Sequence, residues 1–104
     1  CMGNLDLAER LLEAFRNSFP KALAELDSAL EHGDVEELAH VAHRLRGSSG
    51  NVAAERLQRT AARIEELCRA DQTDEIPAQI DRLRCEWTVY LDRPAFEPST
   101  AGFP

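Results

Sequence analysis

Apolar side chains recur at spacings of three and four residues along most of the chain, and this period strongly limits the possible folds. Because a helix turns once every ~3.6 residues, such spacing places the side chains on one face of an amphipathic helix. No segment alternates with period two, so no strand is predicted. The stripes comprise Leu5, Ala8, Leu12, Phe15, Phe19, Leu23, Leu26 and Leu30; Leu38, Val41, Ala42, Leu45 and Ser49; Leu57, Ala61, Ile64 and Cys68; and Ile76, Ile80, Leu83, Trp87 and Leu91.

Local signals predict where these helices begin and end. Gly33 is typical of the residue that ends a helix, since glycine readily takes a positive φ. Asp34 opens the next helix, and Glu37 follows it in a capping pattern. Pro20 has no amide hydrogen to donate to the preceding turn, so we expect a break or kink there, with Ser18 capping a new helix.

The short connections between the predicted helices favour antiparallel neighbours. We therefore expect an all-α, antiparallel up-and-down four-helix bundle with an additional short N-terminal helix. The bundle is predicted to span residues 1–93, with Thr73 capping the last helix. Residues 94–104 lose the helical period and contain three prolines, so they are expected to form a disordered tail or linker.

Composition narrows the classes of partner. The net charge is −7, with 19 acidic and 12 basic residues, which argues against nucleic acid as a ligand. No apolar run approaches the roughly 20 residues needed to cross a bilayer, and no export signal is evident. The three cysteines form no recognisable pairing pattern, which favours a reducing cytoplasm. Cys68 and Cys85 are predicted to be small core residues.

Successive residues of a helix are rotated by about 100° around its axis, and this rotation places His43 outside the apolar face of its helix. Its neighbours on the exposed side are Ala39, Gly47 and Gly50, which are all small. A glycine inside a helix costs about 1 kcal/mol relative to alanine, and a need for access explains Gly47. The pattern indicates an imidazole that the backbone of another protein can approach closely.

A neutral imidazole can attack phosphorus through one ring nitrogen while the other nitrogen donates its proton to an acceptor. Arg46 can bond phosphoryl oxygens, and Arg44 adds positive charge nearby. From His43 to Arg63 there are five arginines and one acid, which indicates either a docking surface for an acidic partner or a solvated helix face. The sequence has no nucleotide-binding motif, so the phosphoryl donor is expected to be another protein.

The stretch AHRLRGSSGNV, residues 42–52, resembles the signature of histidine phosphotransfer (HPt) domains: His, any residue, Leu or Ile, Lys, Gly and two small residues. The resemblance covers residues 5–92 and is sharpest over 42–65. Arg46 stands where the family usually has lysine, so the charge is kept but not the shape. In some relatives a glutamine on the following helix orients the histidine ring, and the matching position here is Glu65.

The resemblance implies that His43 accepts a phosphoryl group from a receiver-domain aspartate and passes it to another receiver. Gly47 then admits the receiver, with Ala39, Arg44 and Gly50 in the docking surface. HPt domains often form the C-terminal end of hybrid sensor histidine kinases, so we expect a cytoplasmic module, free or part of an inner-membrane-anchored kinase. We also expect a monomer that binds no cofactor or membrane, lacks ATP-dependent kinase activity and leaves magnesium to the receiver.

Two other classes of protein stay open at this point. Glu37 and His40 match the Glu-x-x-His pattern of di-iron bundles, but the sequence holds one copy and no metal site is predicted. A non-catalytic helical interaction module has the same stripes and the same acidic charge. For that reading His43, like His32 and His40, is an ordinary surface residue.

Overall fold

The computed structural model describes residues 2–92, with side chains from Leu7 onward. This part of the chain forms four α-helices, α1 (Met2–His32), α2 (Val35–Asn51), α3 (Glu55–Arg69) and α4 (Ile76–Asp92), and a one-turn 3-10 helix at Thr73–Glu75. It contains no strand, as predicted. Helix α2 packs against α3 and α1, while α4 packs against α3 and α1, so the four helices enclose one core. No described helix is long and apolar enough to cross a membrane.

The predicted apolar stripes form most of this core. In α2 all five stripe residues are buried, and in α3 the same holds for all four. Helices α1 and α4 contact each other through aromatic rings. Phe19 is stacked on Trp87 at a centroid distance of 4.2 Å, and Phe15 lies edge-on to Trp87 at 5.6 Å. The period of the sequence therefore predicts which face of each helix is buried.

The end of α1 and the start of α2 also follow the prediction. Gly33 has a φ of +68°, and the amides of Gly33 and Asp34 donate to the carbonyls of Leu30 and Ala29. These two hydrogen bonds, together with the left-handed conformation of Gly33, end the helix. The side chain of Asp34 then accepts a hydrogen bond from the Glu37 amide at 3.1 Å, which caps α2.

Replacing Asp34 by alanine should lower the free energy of unfolding by about 1 kcal/mol, because the cap of α2 loses its acceptor. Urea denaturation followed by circular dichroism measures the effect. Glu36→Ala is the matched control, since it removes a carboxylate from the same turn, where Glu36 is exposed. Equal losses in the two variants would contradict a specific role of the Asp34 hydrogen bond and point to charge alone.

Helix α1 differs from the prediction at Pro20. Of the break or kink expected there, the break is absent, since α1 runs through Pro20 without interruption. The kink stays a prediction, and the separate N-terminal helix is not confirmed. Ser18 does not cap a helix but donates to the carbonyl of Phe15 at 3.3 Å. The buried residues Phe15 and Phe19 precede the proline and Leu23 follows it on the same stripe, so packing against the core outweighs the lost hydrogen bond.

Four further predictions are also wrong. Thr73 begins the 3-10 helix instead of capping α4. Cys85 and Leu91 are exposed, because the buried face of α4 consists of Ile76, Ile80, Leu83 and Trp87. Ala8 is also exposed, since the buried positions of the long helix α1 begin only at Phe15. The antiparallel course of the helices stays a prediction, and the predicted tail at 94–104 lies outside the described residues.

Candidate functional site

His43 lies in the middle of α2, on the side that faces away from the core. Its side chain is 60% exposed, whereas those of Ala42 and Leu45 beside it are buried. The position of His43 around the axis of α2, relative to the apolar face, therefore predicts the exposure of this ring correctly. A reactive imidazole on a buried stripe would be inaccessible to another protein, and this one is accessible.

Glu65 on α3 lies next to this ring. Its Oε2 atom is 3.0 Å from His43 Nδ1, and its side chain is only 4% exposed. Buried glutamates are rare unless they are paired, so this residue is no ordinary surface acid. The packing of α2 against α3 brings the two side chains together across 22 positions of sequence.

The contact between these groups determines how the ring can carry its proton. A carboxylate has only acceptor atoms, so His43 Nδ1 donates to Glu65 Oε2. A neutral ring then has its lone pair on Nε2, for which no hydrogen-bond partner is found among the described residues. Arg46 Nη2 lies 3.3 Å from Nδ1, but an arginine can only donate, so this approach is no hydrogen bond when Nδ1 carries the proton.

Two arginines accompany the buried carboxylate. Arg69, one turn after Glu65 on α3, donates from Nη2 to Oε2 at 2.6 Å. Arg46 places Nε 3.4 Å from Oε1, an ion-pair distance, although buried Oε1 has no hydrogen bond of good geometry among the described residues. Arg46 is among the residues predicted from the sequence, whereas Arg69 is not. The spacing of four residues between Glu65 and Arg69 on one helix could have indicated it.

Gly47 leaves the space beside the ring open. A Cβ atom built on it would meet nothing within 4 Å, so no neighbour within the described chain requires glycine there. Gly50 is different, because a Cβ atom there would lie 2.7 Å from the side-chain Nε2 atom of Gln58. Glycine at position 50 thus allows a side chain of α3 to pack closely, whereas Gly47 faces free space one turn from His43.

The other predicted docking residues have partners inside the bundle. Arg44 forms an ion pair with Glu25 of α1, and Ala39 is half-buried against the core. Farther along the basic segment, Arg59 pairs with Glu55 at 3.8 Å. These exposed pairs contribute little to stability, about 0–1 kcal/mol each, but they offset much of the local positive charge.

The Glu37–His40 pair gains no further ligand from the fold. Among the described residues no group of three or more His, Cys, Asp or Glu side chains lies close enough together to hold a metal ion. His40 is exposed, and His32 places Nδ1 2.8 Å from the carbonyl oxygen of Ser28 in its own helix. The geometry therefore does not favour the di-iron reading.

Cys68 is the buried core residue that its position in the stripe predicts. Burial raises the pKa of the Cys68 thiol, and the negative charge of Glu65 raises that pKa further. Because the thiolate is the reactive form of cysteine, this thiol is a poor nucleophile at neutral pH. Of the two nucleophilic side chains near Glu65, His43 is therefore the one suited to chemistry.

Comparison with known protein families identifies the class to which this arrangement belongs. A family model described as "Hpt domain" matches residues 10–93. The chain therefore belongs to the Hpt domain family, and it is a histidine phosphotransfer module of phosphorelay signalling. No curated protein and no solved structure matches it.

Proposed function

We propose that His43 accepts a phosphoryl group from the aspartate of one receiver domain and passes it to the aspartate of another. The observation that carries this proposal is the exposed His43 ring, whose Nδ1 atom is 3.0 Å from a buried carboxylate. That contact directs the lone pair of a neutral ring to Nε2, away from the bundle's acceptor. Membership in the Hpt domain family supplies the reaction class and the receiver as the type of partner.

The transfer step follows from this arrangement. The Nε2 lone pair of His43 attacks phosphorus, and the bond between phosphorus and the receiver's aspartate oxygen breaks. The bonding electrons leave with that oxygen, so the aspartate becomes a free carboxylate. The ring gains positive charge while Nδ1 keeps its proton, and the Glu65 carboxylate stabilises this charge through the hydrogen bond. Passing the group to a second receiver reverses these steps.

The two proteins divide the remaining work. Arg46, 42% exposed at its side chain, contacts the phosphoryl oxygens or the docked receiver. The receiver contributes the aspartate and the magnesium ion, and this domain contributes a positioned nucleophile without a cofactor of its own. The domain is a carrier, and ATP-dependent phosphorylation is the task of a separate kinase domain.

The molecular setting is also part of the proposal. We place the domain at the C-terminal end of a hybrid sensor histidine kinase in the cytoplasm, where it works as a monomeric unit. The resemblance of residues 42–52 to the HPt signature supports this setting, and so does the absence of a cysteine pairing pattern. In this setting the first receiver belongs to the kinase and the second to a response regulator.

Incubation with phosphorylated receiver domains tests the function directly. We expect radiolabelled phosphate to move to the chain and to be lost in acid but retained in base, as for phosphohistidine. Mass spectrometry should locate the label on His43. Each receiver is also incubated without the chain to measure its own hydrolysis. Failure of a broad set of phosphorylated receivers to label the chain would contradict the proposal.

Replacing Arg46 by alanine should slow phosphoryl acceptance about tenfold, because a charge-assisted hydrogen bond is worth roughly 1.5 kcal/mol. Initial rates of labelling measure the effect. The matched control is Arg82→Ala, an exposed arginine of α4 whose partner is Glu86. An unchanged rate in Arg46→Ala would remove the role assigned to Arg46.

A further inference from the structure

Arg69 and His43 contact the same oxygen atom of Glu65. Arg69 Nη2 is 2.6 Å from Oε2 and His43 Nδ1 is 3.0 Å from it. The Arg69 side chain is 70% exposed, whereas the carboxylate that it contacts is buried. Glu65 therefore has one buried carboxylate oxygen that accepts from the ring and from a guanidinium at once.

This shared oxygen bears on the charge of the ring. A carboxylate beside an imidazole stabilises the protonated imidazolium, and the imidazolium has no free lone pair with which to attack. A glutamate at position 65 would thus favour the unreactive form of His43 if it stood alone. The structure places the positive charge of Arg69 on the same carboxylate oxygen that the ring contacts.

Among the described residues, the charged groups that contact this site come from α2 and α3. Helix α2 contributes Arg46, with Nε 3.4 Å from Glu65 Oε1, and α3 contributes Glu65 and Arg69. With a neutral ring these groups carry two positive charges and one negative charge. Arg69 lies on the oxygen that the ring itself contacts, so its positive charge offsets the negative charge of the carboxylate at that point.

We infer that Arg69 is a positioning residue for phosphoryl transfer: it holds the Glu65 carboxylate in place and offsets its charge, so that His43 stays neutral with Nε2 free. This inference rests on the proposed function and deepens it. It assigns to Glu65 and Arg69 together the orientation of a neutral His43 ring. Arg69 need not touch the receiver or the phosphoryl group for this task.

The test compares Arg69→Gln with wild type in two measurements. The first follows the His43 ring by NMR as a function of pH in the chain alone, without any receiver. Removal of the positive charge should move the midpoint of ring protonation upward by about one pH unit. The second measures labelling by a phosphorylated receiver, which should slow about tenfold below the new midpoint and recover at alkaline pH.

Three further variants make the result specific. Arg59→Gln removes another α3 arginine that pairs with a glutamate four residues away, and it should titrate like wild type. Arg69→Lys keeps the charge and should stay close to wild type. Glu65→Gln combined with Arg69→Gln removes both charges, and it should return the midpoint of ring protonation toward that of wild type.

The outcomes separate this inference from the function on which it rests. An unchanged ring titration in Arg69→Gln would overturn the inference, even if labelling slowed, because Arg69 would then act on the receiver directly. A double variant that titrates like Arg69→Gln would overturn it as well. A wild-type chain that no receiver labels would contradict the proposed function, while the titration would still decide how Arg69 affects the ring.

Discussion

Replacing His43 by glutamine should abolish phosphoryl acceptance and leave the fold intact. Glutamine has no nucleophilic ring nitrogen, so the labelled product cannot form. The side chain is 60% exposed, so the change opens no cavity in the core. The glutamine amide can still donate to Glu65, and glutamine is a good helix former, so the free energy of unfolding should change by less than about 1 kcal/mol.

Labelling by phosphorylated receivers and thermal unfolding followed by circular dichroism test the two halves of this prediction. His40→Gln is the matched control, since His40 is an exposed histidine on the same helix. It should accept the label at the wild-type rate. Label that persists on His43→Gln would place the acceptor elsewhere. Signalling that is unchanged by the same variant in cells would favour a non-catalytic interaction module.

Substitution of Gly47 should separate stability from function. Because a Cβ atom there meets nothing within 4 Å, Gly47→Ala should raise the free energy of unfolding by about 1 kcal/mol. Gly47→Leu should keep the helical content but slow transfer about a hundredfold, because a displacement of the docked receiver by about 1 Å is enough for such a loss. If glycine at position 47 makes the protein less stable than alanine does but is needed for transfer, its role is in docking.

Urea denaturation and initial rates of labelling measure the two effects on the same protein samples. Ala24→Leu supplies the control, since it places the same leucine side chain at an exposed position of α1. Transfer at the wild-type rate by Gly47→Leu would contradict docking over this part of α2. A loss of stability in Gly47→Ala would show that glycine is required by the fold itself.

Much of the bundle could be predicted from the sequence because the relevant information is local. The stripe of α2, from Leu38 to Ser49, follows from a period of 3.6 residues, and all of it is buried. The cap formed by Asp34 and the positive φ of Gly33 depend on residues within one turn. The exposure of His43 follows in the same way, since its direction relative to the stripe is set by the geometry of its own helix.

Local rules fail where packing between helices outweighs them. Pro20 signals a helix end, but burial of Phe15, Phe19 and Leu23 on one stripe keeps α1 continuous. Cys85 has an apolar spacing that allows burial, but the rotation of α4 in the bundle leaves it exposed. The cost of a proline inside a helix is a few kcal/mol, and burial of an aromatic face in the core outweighs it.

The sequence by itself determined the four helices of the bundle, most of their buried positions and the exposure of His43, because the helical period links each residue to neighbours within a turn or two. Only the tertiary structure decided that Glu65 reaches His43 and that Arg69 shares its oxygen. Those contacts depend on how α3 is rotated and shifted along α2, to within about an ångström. Such a register arises from the fit of many buried side chains at once, and no local spacing in the chain encodes it.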